Sequence, residues 1–407
     1  MDRLRNPFSP GAGTRPPELA GRQDILDQAM LAIHRIRAGR SERSPMMVGL
    51  RGVGKTVLLV EIRRQAEKAG YQCLMVEAQE GTKLPQLLAP GLRRLLLRLD
   101  ESELRGERVR RGMRVLHSFL STIKVRVGEI ELQVEGPLER GVADSGQIES
   151  DLADIFLALA AAAQEAGTAV AILIDEMQYL SESELGALIM AVHRIAQEGL
   201  PLMIIGAGLP QLTGKTGRAK SYAERLFTFP EVGPLSEADA RTALQEPVRG
   251  EGAEFSEEAL AAIYVQTQGY PYFLQEWGSH CWNTATMNPI GKDIVDQASR
   301  SAVNSLDTSF FRVRFDRLTP REKDYLRAMA ELQPGPQRSG DIAKLLGTTS
   351  ERVATLRASL IGKGMVYSPQ HGDTAFTVPL FDAFMKRTMP DFPSGKAKSL
   401  IRARRNY

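Results

Sequence analysis

Eight consecutive residues, Gly49-Leu-Arg-Gly-Val-Gly-Lys55-Thr56, fit the pattern G-x-x-x-x-G-K-[ST]. Glycines let the backbone curl until successive N–H groups converge on one anion, and a helix starting at the end of the loop adds the positive end of its dipole. Lys55 is then placed to reach the β and γ phosphates of a nucleotide, and Thr56 to hold magnesium. Gly49, Gly52, Val53, Gly54 and Val57 complete the cradle. Further along, the apolar run Ala169-Val-Ala-Ile-Leu-Ile ends in Asp175-Glu176. Asp175 can share the magnesium with Thr56, and Glu176 can polarise the water that attacks the terminal phosphate. These residues describe phosphoryl transfer to water, with ATP and Mg2+ as the expected cofactors.

Such residues need a scaffold that brings two distant segments together. Short apolar strands are expected at Pro45–Leu50, Cys73–Val76, Ala169–Ile174 and Leu202–Ile205. Helical spacing separates them, at Gln23–Ala38, Val57–Ala69, Leu84–Leu99, Glu101–Ser121, Glu149–Glu165 and Ser183–Gln197. Fully apolar strands alternating with helices imply a parallel sheet covered on both faces. One insertion breaks the alternation. Val125, Val127, Ile130, Leu132 and Val134 follow period two around Gly128-Glu129, which predicts a β-hairpin. Its Lys124 and Arg126 suit phosphates while Glu129 and Glu131 oppose them, so DNA contact and packing or oligomer contact both stay open. From Ser236 to Phe315 only helices are expected.

After Leu318 a third pattern begins. Thr319 and Pro320 open a helix with Tyr325, Leu326, Met329 and Leu332 along its apolar stripe. A short helix ends at Gly347, and a third, Glu351–Lys363, is capped by Thr348-Thr-Ser350. Two extended arms then flank His371-Gly372-Asp373. This order resembles a winged helix-turn-helix, whose third helix enters a DNA groove. The resemblance points to Ser350, Arg352, Thr355, Arg357, Lys363 and His371 for DNA contact, with Val353, Leu356 and Leu360 facing the core. A winged helix serving protein contacts is the alternative.

The chain has 407 residues and a net charge of +3, unevenly spread. Leu318–Tyr407 holds 15 Lys/Arg against 8 Asp/Glu, a net of +7, which leaves −4 for the rest. A basic quarter on a near-neutral body suits nucleic acid. The tail beyond residue 390 adds phosphate attraction without sequence preference. Two unpaired-looking cysteines, Cys73 and Cys281, fit a reducing cytoplasm and exclude a cysteine-based zinc site. No apolar run is long enough for a membrane span, and no signal peptide is expected at the N-terminus.

Taken in order, these parts resemble an AAA+ ATPase of the initiator branch, the group of origin-recognition proteins. They are also similar to archaeal ATPases and STAND signalling ATPases. The resemblance covers nearly the whole chain. It implies an α/β fold: a P-loop NTPase core with a parallel sheet at 1–235, carrying the hairpin insertion 123–134. An all-α helical lid at 236–317, a winged helix-turn-helix at 318–390 and a basic tail at 391–407 follow. It implies that Gly21 and Arg22, in Leu19-Ala20-Gly21-Arg22, lie near the adenine, and that Pro271 helps clamp the nucleotide. Arg225 matches an arginine finger offered to a neighbouring subunit, so a homo-oligomer is expected in the ATP state. The strand Leu202–Gly208 should carry Asn, Thr or Ser at its tip; here stands Gly206-Ala207-Gly208, which implies slow hydrolysis. The expectation is a nucleotide-gated, DNA-binding ATPase acting as a switch or assembly factor on duplex DNA, in the cytoplasm and without a membrane. A STAND-like signalling or defence switch with a protein partner, or a transposition-type regulator, is the alternative.

Overall fold

The computed structural model describes residues 1–11, 13–100, 107–123, 126–127, 130–131, 138–332, 334–370 and 372–392. The chain divides into two compact units. One comprises Arg22–Gly49 and Lys55–Val232; the other comprises Met1–Gly21, Leu50–Gly54 and Gly233–Tyr407.

The first unit runs α1 (Gln23–Arg37), β1 (Ser44–Val48), α2 (Lys55–Lys68), β2 (Tyr71–Glu77), α3 (Leu84–Asp100) and α4 (Glu107–Ile123). It continues with β3 (Arg126–Val127), β4 (Ile130–Glu131), α5 (Ile148–Glu165), β5 (Ala169–Asp175), α6 (Glu182–Gln197), β6 (Leu202–Gly208), α7 (Gln211–Ala219), α8 (Ala223–Leu226) and β7 (Phe227–Thr228). Five strands form one sheet in the order β2-β5-β6-β1-β7. All its pairings are parallel, as the apolar strands required. Residues of β1, β5 and β6 are buried throughout, while outer strand β2 alternates between buried and partly exposed. Ile155, Phe156 and Leu159 of α5 and Leu185, Leu188 and Ile189 of α6 are buried in the same core as Ile172, Ile174 and Ile204. Each such side chain contributes about 1.5–3 kcal/mol on burial. The sheet order interleaves distant segments, so the carboxyl ends of β1 and β5, where the two candidate motifs lie, come to one edge with β6 between them.

The expected hairpin is present as an antiparallel pair, Arg126 opposite Glu131 and Val127 opposite Ile130. Lys124, Val125, Leu132 and Val134 lie outside the described residues. So do residues 101–106, where the helix expected from Glu101 would have begun.

The second unit holds α9 (Glu237–Gly250), α10 (Glu257–Thr267), α11 (Pro271–Thr284), α12 (Lys292–Ser305) and α13 (Arg312–Phe315), with a π-helical turn at Leu306–Phe311 between the last two. The stretch expected to be helical up to Phe315 is therefore continuous but underwound in the middle. Helix α9 carries Pro247 in its last turn and continues to Gly250. Next come α14 (Pro320–Glu331), β8 (Gln337–Arg338), α15 (Ser339–Leu346), α16 (Ser350–Gly362), β9 (Val366–Tyr367), β10 (Asp373–Phe376) and α17 (Phe381–Thr388). Three helices and an antiparallel sheet of order β8-β10-β9 make a winged helix-turn-helix. Tyr325, Leu326 and Met329 of α14, Val353 and Leu360 of α16 and Phe381 and Phe384 of α17 are buried in one core. Two-residue β8 and terminal α17 carry too little pattern to be expected from sequence.

Candidate nucleotide site and winged helix

The phosphate-binding pattern sits where strand β1 gives way to helix α2. Gly52 and Gly54 adopt left-handed φ values of +82° and +94°, a region that β-carbon sterics deny to most residues. These two conformations are what turn the loop. The Gly49 amide donates to the carbonyl of Gly208 at 3.2 Å, tying the start of the loop to the end of β6. Lys55, the first residue of α2, is buried with 7% exposure, and its Nζ donates to the Gly49 carbonyl at 3.0 Å. The ammonium thus folds back over the loop that precedes it. Val53 is buried and Val57 half-buried. Within the second unit, the Tyr272 amide, next to Pro271, donates to the Gly52 carbonyl at 3.2 Å, and the Arg51 amide to the Thr377 carbonyl at 3.0 Å.

Residues 119 positions apart meet at one point. The Thr56 hydroxyl donates to Asp175 Oδ2 at 2.6 Å. Asp175 ends β5 and is 4% exposed. Burial pushes its carboxyl above the usual carboxylate range; the Thr56 hydroxyl pulls it down, Glu176 pushes it up, and the Lys55 charge pulls it down. A buried carboxylate and a hydroxyl side by side are hard oxygen donors. They suit magnesium, which takes one or two protein oxygens and completes its octahedron with water and phosphate. No cluster of three or more His, Cys, Asp or Glu side chains that could cage a metal exists among the described residues.

Glu176 follows in a left-handed conformation, φ +53°. For a non-glycine residue this costs on the order of 1–3 kcal/mol and persists only where the surrounding structure over-determines the backbone. Its carboxylate accepts a hydrogen bond from Gln178 Nε2, and its amide donates to Asp175 Oδ1 at 2.8 Å.

Sequence reasoning passed over Gln178. It is buried, and its Oε1 accepts from the Leu209 amide at 3.0 Å, just beyond β6. The tip of that strand, Gly206-Ala207-Gly208, offers no polar side chain, as its sequence required. A Cβ on Gly208 would lie 2.9 Å from Gln178 Oε1, and one on Gly206 would lie 2.2 Å from Met177 Sδ. The glycines thus make room for the turn after Glu176. A signal existed in the pairing of Gly208 with a polar residue three positions from Asp175, but only the sheet order makes it legible.

The remaining expected residues are placed as follows. Gly21, in a left-handed conformation, lies against the carboxylate of Asp239. Arg22 is buried at the N-cap of α1. Arg225 stands exposed on α8. On the winged helix, Ser350, Arg352 and Thr355 are exposed along α16, with Val353 and Leu360 inward and Leu356 half-buried. Two expected groups point elsewhere. Arg357, expected to be exposed, is half-buried; its Nη2 donates to the Asp373 carbonyl at 2.7 Å and to Ser368 Oγ, so it ties α16 to the wing. Lys363 Nζ donates to Glu322 Oε2 at 2.7 Å and to the Arg317 carbonyl at 3.3 Å, joining α16 to α14. In both cases an acceptor within the domain holds a long cationic side chain. His371 lies outside the described residues.

Residues 18–205 match the model of an AAA ATPase domain. That stretch runs from before α1 into β6 and includes the glycine-rich loop, Thr56, Asp175 and Glu176. Residues 308–385 match a domain of unknown function, DUF8462. An uncharacterized HTH-type transcriptional regulator of Methanocaldococcus jannaschii is 23% identical over 340 residues, 81% of this chain and 79% of that protein. The Walker-type ATPase of Pyrococcus abyssi shares the fold across 93% of this chain and 99% of its own, with 16% identity and a TM-score of 0.59. The Aeropyrum pernix ORC1 protein, solved in complex with DNA, aligns over 91% of this chain and 94% of its own at 15% identity, with a TM-score of 0.44. No helix among the described residues is long and apolar enough to cross a membrane.

Proposed function

We propose that this AAA ATPase is a nucleotide-gated switch that binds duplex DNA through its winged helix and assembles on it in the ATP state. The observation that carries the reading is the 2.6 Å contact between Thr56 and Asp175, with Lys55 folded over the same loop. ATP would be held by the amides of Gly52, Val53, Gly54, Lys55, Thr56 and Val57, with Gly49 fixing the start of the loop. Lys55 would meet the β and γ phosphates, Gly21 and Arg22 would lie by the adenine, and Pro271 would help to clamp it. Magnesium, held by Thr56 and Asp175, would supply neutralisation of phosphate charge. Glu176 would orient and polarise the attacking water, and the exposed Arg225 would be offered to the site of a second copy. Without a polar group on Gly206–Gly208, an isolated chain should hydrolyse slowly.

The DNA side of the reading rests on the exposed Ser350, Arg352 and Thr355 of α16, the net +7 of the C-terminal quarter, and the kinship with an HTH-type regulator. Both thiols, Cys73 and Cys281, are pushed up to about 12 by burial, which keeps them unreactive and suits a chain working in the reducing cytoplasm.

A second reading has its own support. Arg357 and Lys363 are spent on the scaffold of the winged helix, which favours a module that contacts protein, as in a signalling switch. Fluorescence anisotropy of the full chain with labelled duplex DNA, with ATP or ADP and at two salt concentrations, separates the two. Binding that ATP strengthens and salt weakens supports the DNA switch. No binding even at low salt hands the winged helix to a protein partner.

A further inference from the structure

Gln178 is held from three directions. Its amide oxygen accepts from Leu209 N at 3.0 Å. That contact fixes the orientation of the amide, because an N–H can only be met by the oxygen, and so the nitrogen must face Glu176, whose carboxylate it meets. Its main-chain carbonyl accepts from Lys215 Nζ at 3.0 Å, and the same ammonium also donates to the carbonyl of Leu180. Lys215 therefore clamps the turn Met177–Tyr179 from α7. With 8% exposure, the Gln178 side chain has little room to choose another rotamer. Gly208 leaves the space that its oxygen fills.

A single side chain thus joins the carboxylate of Glu176 to the end of β6. We infer that Gln178 is a positioning residue for hydrolysis: its amide N–H aims the Glu176 carboxylate, and its amide oxygen registers the position of the β6 tip, supplying from the turn after β5 the polar group that Gly206-Ala207-Gly208 lacks. This inference rests on the role proposed for Glu176. Three features argue against a mere packing role. The donor is spent on a charged group with a strained backbone rather than on a neutral carbonyl. The amide oxygen is met by the N–H of Leu209, just beyond the strand beside the phosphate loop, whose Gly208 also accepts from Gly49. The lysine that anchors the turn gives up solvent to do so, its ammonium held below the ordinary lysine range by burial, against the pull of Glu182 and Glu184.

The test uses the full chain as wild type, Glu176→Gln, Gln178→Ala, Gln178→Glu and the double variant Glu176→Gln/Gln178→Ala. ATP turnover, affinity for a fluorescent non-hydrolysable ATP analogue and melting temperature are measured on each. Gln178→Ala should lower kcat by about 10²-fold, with KM and analogue affinity near wild type. Gln178→Glu keeps an acceptor for Leu209 N but sets a carboxylate against Glu176, so it should be as slow as the alanine variant. The double variant should be no slower than Glu176→Gln alone, since an aimless Gln178 has nothing left to aim. A kcat for Gln178→Ala close to wild type overturns the inference. So do additive losses in the double variant, or a Gln178→Glu protein that keeps full activity, because each would mean that the side chain acts only as packing or as an acceptor. A Glu176→Gln protein as fast as wild type would instead remove the role of Glu176, and this inference with it.

Discussion

Lys55 illustrates how much a single side chain can decide. Its ammonium is buried, and the Gly49 carbonyl is one of its partners. A neutral replacement leaves that carbonyl without this donor and the loop without its point charge. Lys55→Ala should therefore lose affinity for a fluorescent ATP analogue by well over tenfold while melting near the wild-type temperature; retained affinity would detach the loop from nucleotide. Glu176→Gln asks a different question, since Thr56 and Asp175 stay in place. Analogue affinity should persist while turnover falls, and an unchanged turnover would assign the water to another base. Asp175 and Glu176 are neighbours with different surroundings. One carboxylate is buried against a hydroxyl; the other is pinned by an amide.

Two elements show how neighbouring segments set what a sequence position can hold. In strand β6 a Cβ at Gly206 would sit 2.2 Å from Met177 Sδ, so the Met177 side chain would have to move. Gly206→Ala should destabilise the sheet unit by about 1–3 kcal/mol, read as a lower melting temperature with weaker turnover; an unshifted melt would mean that Met177 swings aside without cost. In the winged helix the pivotal element is the start of α14. Burial alone would raise the Glu322 carboxyl. Bonds from Lys363, the Thr319 amide, Ser359 and the Thr319 hydroxyl prevail and hold it down at about 2. A folded-state value below the ordinary one stabilises the fold above the ordinary carboxylate value of 4.5, and that stability drains away as pH falls through about 2. Glu322→Ala should thus cost about 3 kcal/mol at neutral pH. The gap between its melting curve and that of the wild type should close as pH falls from 4.5 towards 2. A gap independent of pH would show that the side chain acts by packing alone.

At the scale of the whole molecule the charge distribution carries the argument. Of the cations first expected to touch DNA, Arg352 remains outward on α16, whereas Arg357 and Lys363 serve the domain itself. Arg352→Ala should weaken binding to many duplex sequences alike and make the log–log salt dependence shallower by about 0.9, without changing the melting temperature. Arg357→Ala should do the reverse: a lower melting temperature from the loss of the tie between α16 and the wing, with the salt slope kept. Anisotropy titrations at several salt concentrations, run beside thermal melts, check both. An equal loss of slope in the two variants would mean that Arg357 leaves the wing when DNA binds.

The phosphate loop, the Asp175-Glu176 pair and the alternation of apolar strands with helices could be read from the residues alone. Each depends on local patterns: glycine conformations, a strand's hydrophobicity and a helix's period. The winged helix was legible for the same reason, through the cap at Thr319, the polar run Thr348-Thr-Ser350 where α16 starts and the glycines at Gly347 and Gly364. The sheet order β2-β5-β6-β1-β7 was not, because parallel neighbours are joined by crossovers that leave no mark in either strand. Everything that hangs on that order escaped too. Gln178 reads as an unremarked polar residue until β6 is laid beside β5 and its amide finds both Glu176 and Leu209. Arg357 and Lys363 looked like surface cations because a sequence gives the charge of a side chain but not its nearest acceptor. The chain thus determines by itself which groups can do chemistry. Tertiary packing decides which of them are aimed at it, because aiming depends on distances between residues far apart in sequence, such as the 119 positions between Thr56 and Asp175.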